Sequence, residues 1–359
     1  MFPDMTLWLK LLLAAGTSFL ISFLMTPPVK NFAEHVGAID VPKDDRRIHT
    51  RPIPRMGGLA IFMGFIVSCL IFADASAPLM GMMVGALIIA VMGAVDDIVA
   101  LNAWVKLAAQ IFAAVVAIRG GIYLDAVSNP NILSDQGIIF IGRNVSYFLT
   151  LLWIVGCTNA VNLIDGLDGL AVGVSAISSI TMLVVALFVS EPVVSVILAC
   201  LAGACIGFMP YNMNPAKIFM GDVGSQLLGY VLATVSIMGL FKFHTVITFF
   251  VPVMAMLVPL ADTVFAFTRR ILRGQSPFHA DKGHFHHRLL ALGLSQKQVA
   301  AVLYAVSAFM GIFAVLLAGE GRLVRIICLV LMFIVSLCVW LFIFRKMPKR
   351  LPAHKDEEE

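Results

Sequence analysis

The sequence predicts an all-helical integral membrane protein with about eleven spans. Three observations predict it: of the 359 residues 60% are hydrophobic, only 13% are charged, and the mean hydropathy is +0.97. Soluble domains run near half apolar and about a quarter charged, so an ordinary cytosolic protein is excluded. Disorder and coiled coil are excluded too, because the charged surface they need is missing. A spanning helix takes roughly 20 apolar residues, so about ten such lengths fit with little left over. Backbone facing lipid must be helical or part of a closed barrel. No ten-residue alternation suggests a barrel, and no fixed-period repeat is visible.

Taken in order, the uncharged apolar stretches run over 7–25, 57–74, 78–95, 104–119, 145–161, 170–190, 193–211, 225–241, 245–267, 299–318 and 323–344. Asp4 precedes the first stretch and no small-residue cleavage site follows it, so Leu7 to Met25 reads as a retained span rather than a signal peptide. An odd number of spans puts the termini on opposite sides. With the C-terminus inside, 19 of the 25 Lys and Arg residues fall inside and 5 outside, Lys10 lying within the first span. Basic residues collect in cytoplasmic loops, which predicts an outer N-terminus and a cytoplasmic C-terminus. Residues 1–345 form one polytopic domain, and 346–359 are a charged, solvated cytoplasmic tail.

The long outer connection, 120–144, offers a small hairpin from Ile122–Val127 and Ile138–Ile141. The six cysteines, Cys69, Cys157, Cys200, Cys205, Cys328 and Cys338, all sit in apolar runs without a C-x-x-C pair. They read as small packing residues, not as a disulfide or zinc framework. The net charge of +4 carries little meaning when most residues face lipid, and no nucleic-acid partner is expected.

Polar residues gather at the inner ends of the spans. Asp96 and Asp97 close the third span, with Asn102 and Lys106 opening the fourth. Adjacent carboxylates repel, which favours a retained proton or a shared cation; a solvated helix end is the plainer reading. In 158–169, Asn159, Asn162 and Asp165 step by three along one helix side, ahead of Gly166, Asp168 and Gly169. Helix caps and turn glycines explain one Asn and one Gly, but not two Asn and two Asp beside a bilayer, where ionisable groups are costly. In Phe219-Met-Gly-Asp222-Val-Gly-Ser225, glycines flank a carboxylate ahead of the eighth span. Such a turn presents free N–H groups to a phosphate and a carboxylate to Mg²⁺, a hard cation that prefers oxygen. The alternative is a simple Gly turn with Ser225 as N-cap.

Half of the eight histidines lie in 279–287, in His279-Ala-Asp281-Lys282-Gly-His284-Phe-His286-His287-Arg288, after Arg269, Arg270 and Arg273. Zinc would suit the His-x-His spacing, yet no Cys accompanies it. Protonatable imidazoles beside guanidinium groups suit a diphosphate better. The basic segment 44–58 has a strong topological explanation and is also a candidate holder of anionic lipid or substrate. Asp262, in the ninth span, is expected to pair with Arg269 or Arg270. All these clusters fall on one side of a topology obtained without them, which points to one composite site for Mg²⁺-assisted phosphoryl transfer. No Walker-type loop is present.

Together these segments resemble the polyprenyl-phosphate N-acetylhexosamine-1-phosphate transferases, over nearly the whole chain. The resemblance implies a bacterial cytoplasmic-membrane enzyme that moves a sugar 1-phosphate from a UDP-N-acetylhexosamine to undecaprenyl phosphate, releasing UMP. It implies Mg²⁺, or Mn²⁺ in its place, held by Asp222 with Asn162 second. Asp97 would deprotonate or orient the lipid phosphate, supported by Asp96 and Lys106. Asp168 and Phe219 would recognise uridine, and His284, His286 and Arg288 the diphosphate or sugar. Asp165 lies near the site without an assigned role, and a homodimer is compatible with the pattern. One departure stands out: the family's acidic motif often carries a third acidic or polar residue where this chain has Ala100. That weakens a metal site built from the Asp96-Asp97 loop alone.

Asp281 with His284-Phe-His-His-Arg-Leu289 resembles the GlcNAc-1-phosphate branch that starts O-antigen, enterobacterial common antigen or teichoic acid linkage. The peptidoglycan enzyme that takes UDP-MurNAc-pentapeptide usually shows a consecutive His run. Rivals from other classes are a secondary transporter, whose acids belong near mid-membrane in broken helices, a membrane phosphatase, and a structural scaffold. Here the acids sit at span ends, and a scaffold has no use for the Asn/Asp/Gly segment.

Overall fold

The computed structural model describes residues 6–42, 51–124, 126–128, 138–240, 246–272, 284–318 and Val330. Within them the protein is a bundle of helices: α1 Leu7–His35, α2 Gly58–Phe72, α3 Ala77–Val99, α4 Ala103–Arg119, α5 Arg143–Ile164, α6 Leu170–Phe188, α7 Pro192–Asn212, α8 Gly221–Val235, α9 Val246–Ala255, α10 Leu257–Leu272, α11 Phe285–Ala291 and α12 Gln296–Ala318. Two antiparallel ribbons accompany them: β1 Ile39–Asp40 with β2 Ile53–Pro54, and β3 Ala126–Ser128 with β4 Ile138–Phe140. The second is the hairpin expected between spans four and five. Among the described residues six helices, α1, α3, α5, α6, α7 and α12, are long and apolar enough to cross a membrane. The expected last span, 323–344, lies outside the described residues apart from Val330.

Helix α1 extends ten residues past the apolar stretch that announced it, through Pro27 and Pro28 to His35. Polar backbone contacts hold α1 in place. Ser18 and Ser22 donate to the carbonyls of Cys200 (2.6 Å) and Ala204 (2.8 Å) on α7, while Ser68 of α2 donates to Ala14 (2.6 Å). Small hydroxyl residues let apolar helices approach and bond where burial supplies little drive. Lys10, the charge inside the first span, pairs with Asp74 just beyond α2 at 3.1 Å.

The expected ninth span, 245–267, is two helices. Pro259 has no N–H to give the carbonyl of Ala255 one turn earlier, and the chain breaks at Met256 between α9 and α10. The orphaned Ala255 carbonyl instead accepts from Ser178 Oγ of α6 at 2.6 Å.

At the centre stands α8, buried on every side from Val223 to Val235, the pattern of a helix enclosed by other helices. Glycine permits its close packing: a Cβ on Gly58 of α2 would fall on the backbone of Gly224, and one on Gly93 of α3 on that of Val223. The β2 segment completes the enclosure. Phe219 N–H donates to Pro54 O (2.8 Å), while Gly57 and Gly58 donate to Phe219 O (2.9 Å) and Met220 O (2.8 Å). Gly58→Ala is therefore expected to destabilise the fold by about 1–3 kcal/mol or more, the usual cost of overpacking. A lowered unfolding midpoint in detergent, against an unlowered midpoint for Gly16→Ala, in open space within α1, checks it.

Candidate active site

Helix α8 begins at Gly221, four residues before the expected start of its span, so Asp222 stands in its first turn. Ser225 is not its N-cap; its hydroxyl donates to Gly221 O at 3.0 Å. The N–H groups expected to await a phosphate have a protein partner. Asp97 Oδ1 accepts from Asp222 N–H (3.1 Å) and Oδ2 from Val223 N–H (3.5 Å). A carboxylate at a helix N-terminus satisfies orphan donors and complements the dipole. Gly221, at φ +70°, leaves room for it, since a Cβ there would meet the Asp97 carboxylate.

Asp96, one residue earlier, faces elsewhere. Its Oδ1 accepts from Leu101 N–H (2.6 Å) and its Oδ2 from Lys106 Nζ (3.0 Å). Lys106 Nζ also reaches Asp222 Oδ2 at 2.9 Å, bridging the end of α3 to the start of α8. Asp222 takes two more donors, Asn162 Nδ2 on Oδ1 (3.1 Å) and Gln226 Nε2 on Oδ2 (2.9 Å). Gln226, Gln110 and Asn159 continue this network between α4, α5 and α8. Asn102 is a helix cap, its Oδ1 accepting from Trp104 N–H at 3.0 Å.

Beside this cluster opens a cleft of about 330 Å³ lined by Asp97, Asn162, Asp165, Asp168, Phe219 and Asp222, with Asp40, Arg55, Asn212 and Gln296 among the others. The 165–169 loop forms one wall. Asp168 Oδ2 accepts from Asn214 Nδ2 (2.9 Å) and Ala216 N–H (3.0 Å), while Asn212 Oδ1 accepts from Gly169 N–H (3.2 Å). Tyr304 of α12 donates to Gly169 O at 2.6 Å. Asp165 is packed among carboxylates: burial, then Asp222, Asp97 and Asp168, push its pKa up to about 8.

Of the ten residues singled out in the sequence, Asp97, Asn162, Asp168, Phe219 and Asp222 line the cleft. Asp96 and Lys106 stand one contact behind, through Asp222. His284, His286 and Arg288 lie on or next to α11, whose His286 ring edge rests on Gly166 of the cleft wall. Two expectations change here. Asp262 is held by His284, Oδ2 to Nδ1 at 2.7 Å, while Oδ1 accepts from Phe285 N–H at 2.7 Å. His286 is not a ready cation either: burial and then the neighbouring His287 lower its pKa to about 4. It is a neutral imidazole at neutral pH. His279, Asp281, Lys282 and residues 44–50 of the basic segment lie outside the described residues. Sequence reasoning missed Asp40, Asn212 and Gln296; each is a single polar residue at an element end, without a motif around it.

The Asp165 environment has a measurable consequence. A carboxyl whose native pKa lies near 8 rather than about 4 loses native stability as pH rises between those values and recovers it below. Asp165→Asn is therefore expected to raise the unfolding midpoint in chelator at pH 9 and to leave it nearly unchanged at pH 4. Equal effects at both values would contradict this.

Residues 79–240 match the model of glycosyl transferase family 4. The chain is 40% identical over 310 residues to a probable undecaprenyl-phosphate N-acetylglucosaminyl 1-phosphate transferase of Bacillus subtilis, covering 86% of this chain and 85% of that one. It is 35% identical to a decaprenyl-phosphate N-acetylglucosaminephosphotransferase of Mycobacterium tuberculosis, over 82% of this chain and 79% of that one. A phospho-N-acetylmuramoyl-pentapeptide-transferase of Staphylococcus epidermidis is 32% identical over 72% of this chain and 83% of its own. With identity and coverage at these levels, and with the matched region holding the Asp96-Asp97 pair, Asn162, Asp168, Phe219 and Asp222, the chain belongs to glycosyl transferase family 4, on the side of its N-acetylglucosaminyl 1-phosphate transferases.

Proposed function

We propose that this protein transfers N-acetylglucosamine 1-phosphate from UDP-N-acetylglucosamine to undecaprenyl phosphate, releasing UMP and forming a lipid diphosphate sugar that starts a cell-envelope polysaccharide. The observation that carries the reading is the cleft itself: Asp97, Asp165, Asp168 and Asp222 converge beside an apolar bundle, with Asp222 oriented by Lys106, Asn162 and Gln226. The 19-to-5 distribution of basic residues supports a cleft that opens to the cytoplasm of a bacterial inner membrane. A water-soluble donor arrives from that side, and the lipid acceptor from the bilayer.

The residues present fit Mg²⁺. The donors around Asp222 are oxygen-bearing, and no group of three or more His, Cys, Asp or Glu side chains among the described residues makes a cage by itself. Mg²⁺ typically takes one or two carboxylates and completes its shell with water and substrate phosphate. Asp222 would hold it. Asn162 now turns its amide nitrogen to Asp222 and Ser225, and as second ligand it would present Oδ1. The ion would neutralise the diphosphate and the charge that develops as UMP leaves.

The protein's own groups set the rest. Lys106 balances Asp96 and Asp222 while the anionic substrates enter. Asp168, with one oxygen tied to the 214–216 turn, and Phe219 hold the uridine end. Asp97 lies at the acceptor end and orients the lipid phosphate. That phosphate is already an anionic nucleophile, so we favour direct attack: its oxygen bonds to the β-phosphorus as the bond to UMP breaks. A donor bearing the pentapeptide is the second reading, favoured by the Staphylococcus epidermidis relative.

One assay tests the proposal. Detergent-purified protein with Mg²⁺ and undecaprenyl phosphate should release UMP from UDP-N-acetylglucosamine, and not from UDP-MurNAc-pentapeptide. Chelation should abolish release, and Asp222→Ala should lower it by at least about 10²-fold while the protein stays folded, a loss in the range for a group that stabilises transition-state charge. Release from the pentapeptide donor alone would move the protein to the second reading.

A further inference from the structure

The cleft has a charge problem. Among the described residues that line it, besides Asp165, which keeps its proton at neutral pH, four are acids, Asp40, Asp97, Asp168 and Asp222, and one is a cation, Arg55. Lys106 is behind the wall, tied to Asp96 and Asp222. A phosphate monoester must enter this surface and meet a diphosphate there. A divalent ion held at Asp222 sits at one place, and the acceptor phosphate needs a counter-charge at another.

Arg55 is built for that place. It opens the turn after β2, and its backbone N–H donates to Ala38 O at 2.9 Å. The next residue, Met56, has φ +93° and is buried against Ala33 and Ala38. A large residue held in the left-handed region costs energy that the surroundings must supply, and such outliers gather at functional sites. This turn sends the Arg55 side chain over the end of α3. There Nε donates to the Asp97 carbonyl oxygen at 3.1 Å and lies 3.8 Å from Asp97 Oδ1. With Nε so anchored, the two terminal nitrogens form the end of the fork, and the side chain remains about one-third exposed in the cleft. A guanidinium fixed at Nε presents a planar pair of donors that matches two oxygens of a phosphate.

We propose that Arg55 binds the phosphate of the lipid acceptor, and with Asp97 sets where that phosphate stands. The inference rests on the transferase reading, which places the acceptor at Asp97 and the uridine end at Asp168 and Phe219. Arg55 is then specific to one substrate: its loss weakens the lipid and spares the nucleotide sugar. Lysine keeps the charge, but not the fork or the Nε anchor.

The test varies each substrate in turn for the parent, Arg55→Lys and Arg55→Gln, with unfolding midpoints confirming folded protein. A charged hydrogen bond of this kind is worth roughly 10- to 100-fold. Arg55→Gln should raise KM for undecaprenyl phosphate by about that factor and Arg55→Lys by less, with KM for UDP-N-acetylglucosamine within about twofold of the parent. A second readout needs no turnover: undecaprenyl phosphate should raise the parent's unfolding midpoint, and Arg55→Gln should lose most of that rise. An unchanged lipid KM, or a raised KM for the nucleotide sugar instead, would overturn the proposal. A parent inactive with every donor would sink the transferase reading. Protection by undecaprenyl phosphate that Arg55→Gln retains would sink the phosphate site independently.

Discussion

The arrangement depends on a single constraint: α8 starts inside the protein. A helix end leaves N–H groups without intrahelical partners, and water normally takes them. Here α2, α3 and the 53–58 segment close around the first turn, and the Asp97 carboxylate takes two of the N–H groups. Asp97 is 2% exposed, and a carboxylate so deeply placed is costly unless donors surround it. The two needs meet each other. Asp222 on the first turn of α8 is thereby held against Asp97 at the end of α3, at a spacing neither helix could set alone.

A second tension follows from the first. Asp96, Asp97 and Asp222 crowd acidic groups at the end of an apolar bundle, with Asp165 packed beside them. Lys106 relieves it for two of them by bridging Asp96 and Asp222, and the amides of Asn162 and Gln226 add donors to Asp222. Asp165 resolves it differently: burial first, and then the charge of Asp222, Asp97 and Asp168, raise its pKa so that it keeps its proton. Active sites commonly hold charges that folding alone would not choose, with the surrounding packing sustaining them.

Much of this is legible in the sequence, because a bilayer makes composition speak plainly. Apolar runs mark the helices from α1 to α8 and α12, and acids that cost energy beside lipid mark Asp97, Asp168 and Asp222. Hydropathy is blind to backbone chemistry. It cannot see that Pro259 splits a long apolar run into α9 and α10, or that α1 continues past Met25 through two prolines. It also cannot say what a polar side chain faces. Asp262 lies near two arginines in sequence and bonds to His284, which is 22 residues away. The N-terminus of α8 looks like a phosphate cradle until Asp97, 125 residues earlier, is seen to occupy it. Asp40, Asn212 and Gln296 reach the cleft only because the chain folds them there.

The contact between His286 and Gly166 divides the protein into two kinds of territory. Asp96, Asp97, Asp165, Asp168 and Asp222, with Lys106, Asn162 and Gln226, fall within the stretch matched by the family model, 79–240. Helix α11 falls outside it and meets the cleft by laying an uncharged ring on a residue without a side chain. A seam of that sort transmits shape but little charge. Sequence drift in α11 can therefore reshape one side of the pocket without disturbing the balance among the acids. An enzyme made this way can change its clientele over evolutionary time while its reaction chemistry stays put.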